Sequence, residues 1–253
     1  MNRTSTTQPT PSHLGPDSSM LRARSLVVSY GRTAALRGVT LEVRRGEILA
    51  VTGPSGSGKS TLLLTLAGIL VPDAGEVHFG DRCITAENES SRSRLRRKQF
   101  GVLFQFGQLV PELTAEENVA LPLLLSGRRR GVAITAATTW LDRFGVADLA
   151  KVRPPEMSGG QAQRVAVARA MVTEPQVLFA DEPTGALDTL AGEQVMTQLV
   201  RVAREADTTV VLVTHDARIA AYGDREVVVR DGVLPDPIPA DEASVSGREE
   251  GRS

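Results

Sequence analysis

A glycine-rich octapeptide, Gly53-Pro54-Ser55-Gly56-Ser57-Gly58-Lys59-Ser60, constrains this chain most, because it matches the pattern G-x-x-x-x-G-K-[ST]. The apolar run 48–52 precedes it and the apolar stretch 60–70 follows it, which predicts a buried strand, a loop and a buried helix. In such a loop the glycines let backbone N–H groups turn towards phosphate oxygens, at the positive end of the helix. We expect Lys59 to reach the β and γ phosphates, Ser60 to offer its hydroxyl to Mg²⁺, and Thr61 to donate to the next phosphate. The octapeptide therefore predicts a site for a nucleoside triphosphate with Mg²⁺.

The overall charge argues against a nucleic-acid partner. The 253 residues contain 29 Lys and Arg against 30 Asp and Glu, a formal net charge of -1, whereas nucleic-acid-binding domains usually carry a basic excess. Cys83 is the single cysteine, so no intrachain disulfide is possible and a reducing compartment is expected. The longest apolar stretch, 62–71, is interrupted by Thr65 and Gly68 and is shorter than the roughly 20 residues that a membrane-spanning helix needs. We therefore expect no transmembrane segment.

The two ends of the chain differ in composition from its middle. Residues 1–20 are rich in Ser, Thr and Pro and lack the apolar core of a secretory signal, which predicts a disordered arm. Residues 235–253 begin with three alternating prolines and continue with Ser, Gly, Glu and Arg, which predicts a disordered tail. Residues 21–234 are therefore expected to form the folded domain.

Strand and helix patterns alternate within that domain. Strands are predicted at 26–29, 39–43, 48–52, 101–104, 177–180 and 209–214, and an antiparallel hairpin at 76–84 around Gly80-Asp81. Helices are predicted at 60–70, 161–172 and 190–205, and within 107–155 with breaks at Pro111, Pro122, Gly127, Gly131 and Gly145. These patterns predict an α/β fold: a P-loop NTPase core with a mostly parallel sheet, a small antiparallel β subdomain and an inserted α-helical subdomain at about 106–164.

Polar residues follow three of the predicted strands. Ligands of an open parallel sheet bind at the carboxyl ends of its strands, so we expect Asp181 to hold Mg²⁺ and Glu182 to polarise the attacking water. The alternative is that one of these acids only caps the following turn. His215 could contact a γ-phosphate oxygen, and Gln105 could contact Mg²⁺ or the water. For His215 and Gln105, position alone is equally compatible with a polar residue that has no role in the site.

The segment Met157-Ser158-Gly159-Gly160-Gln161 resembles the signature motif of ABC ATPases, which usually begins with Leu. The order of the motifs matches that family throughout: Tyr30, the loop ending at Lys59, Gln105, the signature, Asp181-Glu182, Ala186-Leu187-Asp188 and His215. The resemblance covers about 21–234 and implies ATP as the nucleotide, hydrolysed by in-line attack of water on the γ-phosphate. Met157 and Ala162 depart from the usual motif, so packing at the signature loop is expected to differ slightly.

The same resemblance implies a head-to-tail homodimer. ATP bound to the loop of one chain would be covered by the signature of the other, and a helix that begins after Ser158 presents an end suited to anions. Asp188 would lie at the shared boundary. Tyr30 corresponds to the aromatic residue that stacks on adenine, although a Tyr at a strand end is more often packing. The signature residues assigned to the partner's nucleotide are Ser158, Gly159, Gly160 and Gln161.

A narrower resemblance, carried by 104–106, 109, 112–115, 117–119 and 121–122, is to the lipoprotein-releasing, macrolide-exporting and cell-division subgroup. It implies a separate integral-membrane permease as partner and a cytoplasmic location, peripheral on the inner face of the cell membrane. The basic runs 92–98 and 128–130 are interpreted as solvated surface rather than contacts with lipid or permease. One alternative, an ATP-dependent regulatory switch for a membrane-bound cell-wall enzyme without transport, would use the same residues. A soluble ABC protein of translation or DNA repair is disfavoured, since those usually carry two such domains or a long coiled-coil insertion.

Overall fold

The computed structural model describes residues 19–104 and 109–234, which form two sheets and a group of helices. The strands are β1 (Ser19–Tyr30), β2 (Thr33–Arg44), β3 (Ile48–Thr52), β4 (Ala74–Phe79), β5 (Arg82–Cys83), β6 (Phe100–Leu103), β7 (Val177–Asp181), β8 (Thr209–Val213) and β9 (Arg225–Val228). The helices are α1 (Lys59–Leu66), α2 (Glu89–Gln99), α3 (Ala115–Leu125), α4 (Arg130–Arg143), α5 (Gly159–Met171), α6 (Thr189–Glu205) and α7 (Ala217–Ala220). The predicted tail, nearly all of the predicted arm, and Gln105 lie outside the described residues.

Five strands form a parallel sheet in the order β6-β7-β8-β3-β9. Every residue of β3 and β8 is buried, as expected for apolar strands whose two faces are both covered. Alternate residues of β8 enter two separate apolar clusters: Val210 and Leu212 pack with α5 and α6, whereas Val211 and Val213 pack with α1 and the antiparallel sheet. The carboxyl ends of β3, β7 and β8 therefore meet at one edge of the core, as the predicted fold class requires.

The antiparallel sheet has the order β2-β1-β4-β5. Tyr30 pairs with Thr33 across a two-residue turn, so the strands predicted at 26–29 and 39–43 are parts of one long hairpin. The domain boundary predicted between residues 20 and 21 is two residues late, because Ser19 already pairs with Arg44 and Met20 is buried. The hairpin predicted at 76–84 is confirmed as β4 and β5.

The helices α3, α4 and α5 pack together and contain most of the described part of the predicted helical insertion. The prediction of helix breaks at Pro122 and Gly131 was wrong, because both residues lie within helices. Gly131 is the second residue of α4, so it lies at the helix end rather than in the interior, where glycine is most unfavourable. Pro122 lies late in α3, whose start is fixed by a reciprocal capping box between Thr114 and Glu117. Within 19–104 and 109–234, no helix is long and apolar enough to cross a bilayer.

The structure differs from the sequence prediction in two further segments, both beside the parallel sheet. The helix predicted to reach residue 70 ends at Leu66, because Gly68 adopts a φ of 64° and its N–H group bonds the carbonyl oxygen of Thr65. Helix α7 and strand β9 were not predicted, since each has only four residues, too few for a periodic pattern. β9 nevertheless completes the sheet beside β3.

Gly101→Ala is expected to lower the free energy of unfolding by about 1–3 kcal/mol or more, through overpacking. A Cβ at Gly101, in β6, would lie 2.4 Å from the carbonyl oxygen of Ala170 in α5. The matched control is Gly131→Ala, where a Cβ meets open space and a helical alanine should be neutral or stabilising by less than about 1 kcal/mol. Chemical denaturation of both variants tests this, and equal midpoints would contradict the close approach of β6 and α5.

Candidate nucleotide site

A cavity of about 690 Å³ opens at the carboxyl ends of the parallel strands. The loop after β3, the residues after β7 and β8, and the β1–β2 hairpin all contribute to its wall. Thr33, Ala34 and Ala35 line it without having been predicted, because nothing in their residue types indicates a ligand. The predicted site residues that line it are Tyr30, Ser55, Gly56, Gly58, Lys59, Ser60, Thr61, Asp181, Glu182 and His215.

The loop between β3 and α1 keeps its shape through glycine and through the lysine side chain. Gly58 has a φ of 105°, and a Cβ there would lie 2.4 Å from the carbonyl oxygen of Ala35, so only glycine fits. Lys59 Nζ donates to the carbonyl oxygens of Gly53 and Pro54, each at 2.8 Å. Gly53 and Pro54 therefore contact the Lys59 side chain but do not line the cavity. Because the ammonium group is held across this loop, its charge is positioned at the start of α1.

Ser60 and Asp181 place two side-chain oxygen atoms next to each other. Ser60 Oγ donates to Asp181 Oδ1 at 3.2 Å, joining the first turn of α1 to the end of β7. Burial raises the pKa of the Asp181 carboxyl, the bond from Ser60 opposes the rise, the Glu182 carboxylate adds to it, and the Lys59 charge opposes it. A hydroxyl and a carboxylate at this separation are the kind of hard oxygen ligands that Mg²⁺ takes in phosphate sites, so the donor set fits the ion.

Glu182 is held in a strained conformation at the end of β7. Its φ of 47° lies in the left-handed region, which costs a non-glycine residue on the order of 1 kcal/mol or more. Both carboxylate oxygens are engaged, Oε1 with His215 Nδ1 at 2.6 Å and Oε2 with the Thr214 hydroxyl at 3.3 Å. Glu182, which was predicted to polarise the attacking water, is thus in direct contact with His215, which was predicted to contact the γ-phosphate. Strain of this kind persists where surrounding structure fixes it, commonly at functional sites.

Gln163, in α5, is a site-linked residue that the sequence interpretation missed. Its side chain is buried, and Nε2 donates to the carbonyl oxygen of Pro183 at 2.6 Å, directly after Glu182. A polar residue one helical turn before the buried Ala166 and Val167 is the sequence signal that could have identified it, since buried amides require hydrogen bonds. Gln163 therefore ties the helix that follows the signature to the segment that carries Glu182.

The signature residues do not line the cavity of their own chain. Ser158 is the N-cap of α5: its Oγ accepts from the Gln161 N–H at 3.3 Å, and the Gln161 side chain accepts from the Ser158 N–H at 2.9 Å. Gly159 and Gly160 form the first turn of that helix. Asp188 caps α6 by accepting from Ala191, and the Ser57 carbonyl oxygen accepts from Gly232, so both have structural contacts outside the cavity.

Comparison with known proteins gives a consistent match. The model of the family described as ABC transporter matches residues 36–185. The lipoprotein-releasing system ATP-binding protein LolD of Porphyromonas gingivalis is 40% identical over 215 residues, which cover 85% of this chain and 98% of that protein. Its counterpart in Myxococcus xanthus is 42% identical over 218 residues, covering 85% and 97%. A dimeric ATP-binding cassette in a post-hydrolysis state, bound to ADP and Pi, matches with a TM-score of 0.79 at 35% identity, covering 85% of this chain and 97% of that one.

The strand–loop–helix unit, the parallel sheet and the acid pair at the end of β7 define a P-loop nucleoside triphosphatase. The family match narrows that class: the chain belongs to the ABC transporter family and is an ATP-binding, ATP-hydrolysing cassette. The predicted resemblance to the lipoprotein-releasing subgroup is confirmed by the relatives. They favour the transport interpretation over the regulatory alternative.

Proposed function

We propose that two copies of this chain pair head to tail, hydrolyse MgATP in composite sites, and thereby drive a separate membrane permease. The observation that carries the proposal is the separation of two anion-binding features within one chain. The cavity contains Lys59, Asp181 and Glu182, whereas the start of α5 at Ser158 lies outside it. A second copy related by a two-fold axis would bring its α5 to this cavity. The dimeric relative bound to ADP and Pi supports the pairing of two copies.

The start of α5 has the chemistry to bind a phosphate of the partner's ATP. Its first N–H groups have no partner within the helix, and the helix dipole favours negative charge at this end. Ser158 accepts one bond from Gln161, which leaves the hydroxyl hydrogen available as a donor. Gly160 lacks a side chain, so the backbone can approach the phosphate closely.

Within the cavity, the proposed roles follow from the contacts. Lys59 and the loop N–H groups hold the β and γ phosphates, and Glu182 orients the attacking water and accepts its proton. His215 orients the Glu182 carboxylate and reaches towards the γ-phosphate. Mg²⁺, bound by Ser60, Asp181 and the predicted ligand Gln105, would neutralise charge on the phosphates.

The protein concentration dependence of ATP hydrolysis tests the pairing. If the active species is a dimer, activity per chain should rise with chain concentration until the dimer is fully formed, because association follows mass action. Dilution series at saturating MgATP measure this. A turnover per chain that stays constant across the whole series, together with a monomer mass in light scattering with and without ATP, would exclude composite sites.

Tyr30 is proposed to stack on adenine. The Tyr30 side chain lines the cavity, and 55% of its surface is accessible. Removal of its ring should therefore affect the fold little. Tyr30→Ala is expected to weaken ATP binding by about 1–3 kcal/mol, the usual worth of base–aromatic stacking. Tyr30→Trp and Tyr30→Phe keep a ring and should bind ATP nearly normally. Equal affinities for the alanine and phenylalanine variants in a calorimetric titration would assign Tyr30 to packing.

A groove beside the nucleotide core is the proposed docking surface for the permease. A cavity of about 270 Å³ lies between β6 and α3, with Leu121, Pro122 and Leu125 on its apolar wall and Arg97 beside it. Leu125 exposes 65% of its surface. Leu109 does not line this groove, because it packs against the core cluster that contains α3, α4 and α5. A permease at this groove would place the chain on the inner face of the membrane.

Leu125→Glu is expected to abolish co-purification with the permease and its stimulation of hydrolysis, because it puts a charge in the apolar groove. Basal MgATP hydrolysis should stay within a few-fold of normal, since Leu125 does not line the nucleotide cavity. Val132→Glu is the matched control, as Val132 lies in α4, exposes 57% of its surface and does not line the groove. Equal permease binding by both variants would move the docking surface elsewhere.

A further inference from the structure

Three side chains of the antiparallel sheet converge away from the nucleotide cavity. Glu76, His78 and Cys83 each present one ligand atom, and these atoms all lie within 4.8 Å of one another. The strand geometry explains the convergence: Glu76 and His78 are two residues apart in β4, so they share a face, and Cys83 in β5 is the cross-strand partner of His78. None of the three lines the nucleotide cavity.

We propose that this cluster, Glu76, His78 and Cys83, binds a divalent transition-metal ion of the Zn²⁺ type. Thiolate, imidazole and carboxylate are the ligands that Zn²⁺ and Co²⁺ take in proteins, whereas Mg²⁺ and Ca²⁺ prefer oxygen alone. Three protein ligands leave the fourth tetrahedral position to water. On binding, the Cys83 thiol gives its proton to solvent and its sulfur bonds to the metal.

Two of the three ligand atoms already lie near the separation of neighbouring ligands in a tetrahedral site. His78 Nε2 and Glu76 Oε2 are 2.9 Å apart, held by a hydrogen bond. Two ligands with metal bonds of about 2.1 Å stand about 3.4 Å apart in a tetrahedron, so exchanging the shared proton for the metal needs only a small movement. Cys83 Sγ lies 3.4 Å from the Thr85 hydroxyl, which itself accepts from the Val77 N–H at 3.2 Å. Thr85 thus fixes the thiol from outside the ligand shell, as second-shell groups do.

The charges around the cluster also bear on its affinity. The Glu76 carboxylate and the Cys83 thiolate together balance a divalent ion. Arg22 and Arg24 are the β1 partners of His78 and Glu76, and their positive charges favour the anionic ligands while opposing the cation. We therefore expect stoichiometric but exchangeable binding, removable by a chelator, rather than a permanently held ion.

A metal at this position would have a structural consequence. β5 has two residues, and its only pairing with β4 is His78 with Cys83 and Phe79 with Arg82. A metal bond between β4 and β5 would fix this short hairpin, because binding to the folded state alone stabilises that state. The apparent melting temperature should therefore rise with added Zn²⁺.

Titration of the chelator-treated, reduced full chain with Co²⁺, with Mg²⁺ in excess and no nucleotide, tests the proposal. Because Cys83 is the only cysteine, a thiolate-to-cobalt charge-transfer band in the near ultraviolet can come only from Cys83, and the variants of His78 and Glu76 show whether they share the ion. We expect a band that saturates at one Co²⁺ per chain and is displaced by Zn²⁺. Cys83→Ser should abolish it, and His78→Ala and Glu76→Gln should weaken the cobalt affinity at least tenfold.

Asp81→Asn is the matched control, since Asp81 lies in the turn of the same hairpin but outside the cluster, and it should titrate like the parent chain. Basal hydrolysis should be unchanged in all four variants. Two results would overturn the proposal: no charge-transfer band at saturating Co²⁺, or a band whose titration is the same in His78→Ala and Glu76→Gln as in the parent. The second result would mean that the half-buried Cys83 thiol binds the ion without His78 and Glu76.

Discussion

Glu182→Gln should retain ATP binding while ATP hydrolysis falls by about 10²- to 10⁴-fold, the usual span for loss of a general base. Glutamine keeps the shape and the contacts available to His215 and Thr214 but cannot accept a proton from water. Because bound ATP then persists, the variant should accumulate as an ATP-bound dimer. Single-turnover hydrolysis and light scattering with ATP measure the two effects.

Glu174→Gln is the matched control for this variant. Glu174 is also a glutamate with positive φ, at 52°, but it is exposed in the turn after α5 and does not line the cavity. It should hydrolyse ATP normally. Near-normal turnover by Glu182→Gln would remove Glu182 from the chemistry and leave it as a turn residue, the alternative that its position at a strand end allows.

Gly160→Asp should reduce hydrolysis by about 10²- to 10³-fold without disturbing the fold. A Cβ at Gly160 would meet only the Ala191 Cβ, at an ordinary 3.4 Å, and a carboxylate in the first turn of α5 is favourable to the helix dipole. In the composite site, however, this carboxylate would face the partner's phosphates. Like charges about 4 Å apart repel by about 4 kcal/mol near a protein surface.

The Gly160→Asp variant should therefore bind ATP as a monomer and fail to form the ATP-bound dimer. Gly131→Asp adds the same charge to the first turn of α4, in open space, and should hydrolyse ATP like the parent chain. Gly160→Ala, which fits within the chain, should be intermediate. A Gly160→Asp chain that hydrolyses ATP normally would mean that the start of α5 does not approach a nucleotide.

The phosphate loop and the buried strands could be predicted because each is a contiguous feature of the sequence. The octapeptide requires a strand before it and a helix after it, and β3 and the start of α1 lie where that requirement puts them. The acid pair could be placed because parallel strands end at one edge. Asp181 and Ser60, 121 residues apart in the chain, are accordingly in contact.

Features decided by long-range contacts were not predictable. The left-handed conformation of Glu182 depends on its hydrogen bond to Val213 in β8, and nothing in residues 181–185 specifies it. The contact between Gln163 and Pro183 likewise joins α5 to a distant loop. Pro122 was taken as a helix end on local grounds, but the capping box and the buried face of α3 outweigh one missing N–H group. Strand β9 is short and gains its order from pairing with β3.

Mixed dimers test the composite site most directly. Lys59→Ala removes the ammonium group that is proposed to bind phosphate and Gly160→Asp blocks the start of α5, so each variant alone should hydrolyse ATP very slowly. In a head-to-tail dimer of one Lys59→Ala chain and one Gly160→Asp chain, one site contains both lesions and the other contains neither. We expect such a mixture to form dimers that occlude one ATP and to recover hydrolysis that neither variant shows alone. A mixture that neither occludes ATP nor hydrolyses it, under conditions where the parent chain does both, would contradict the composite site.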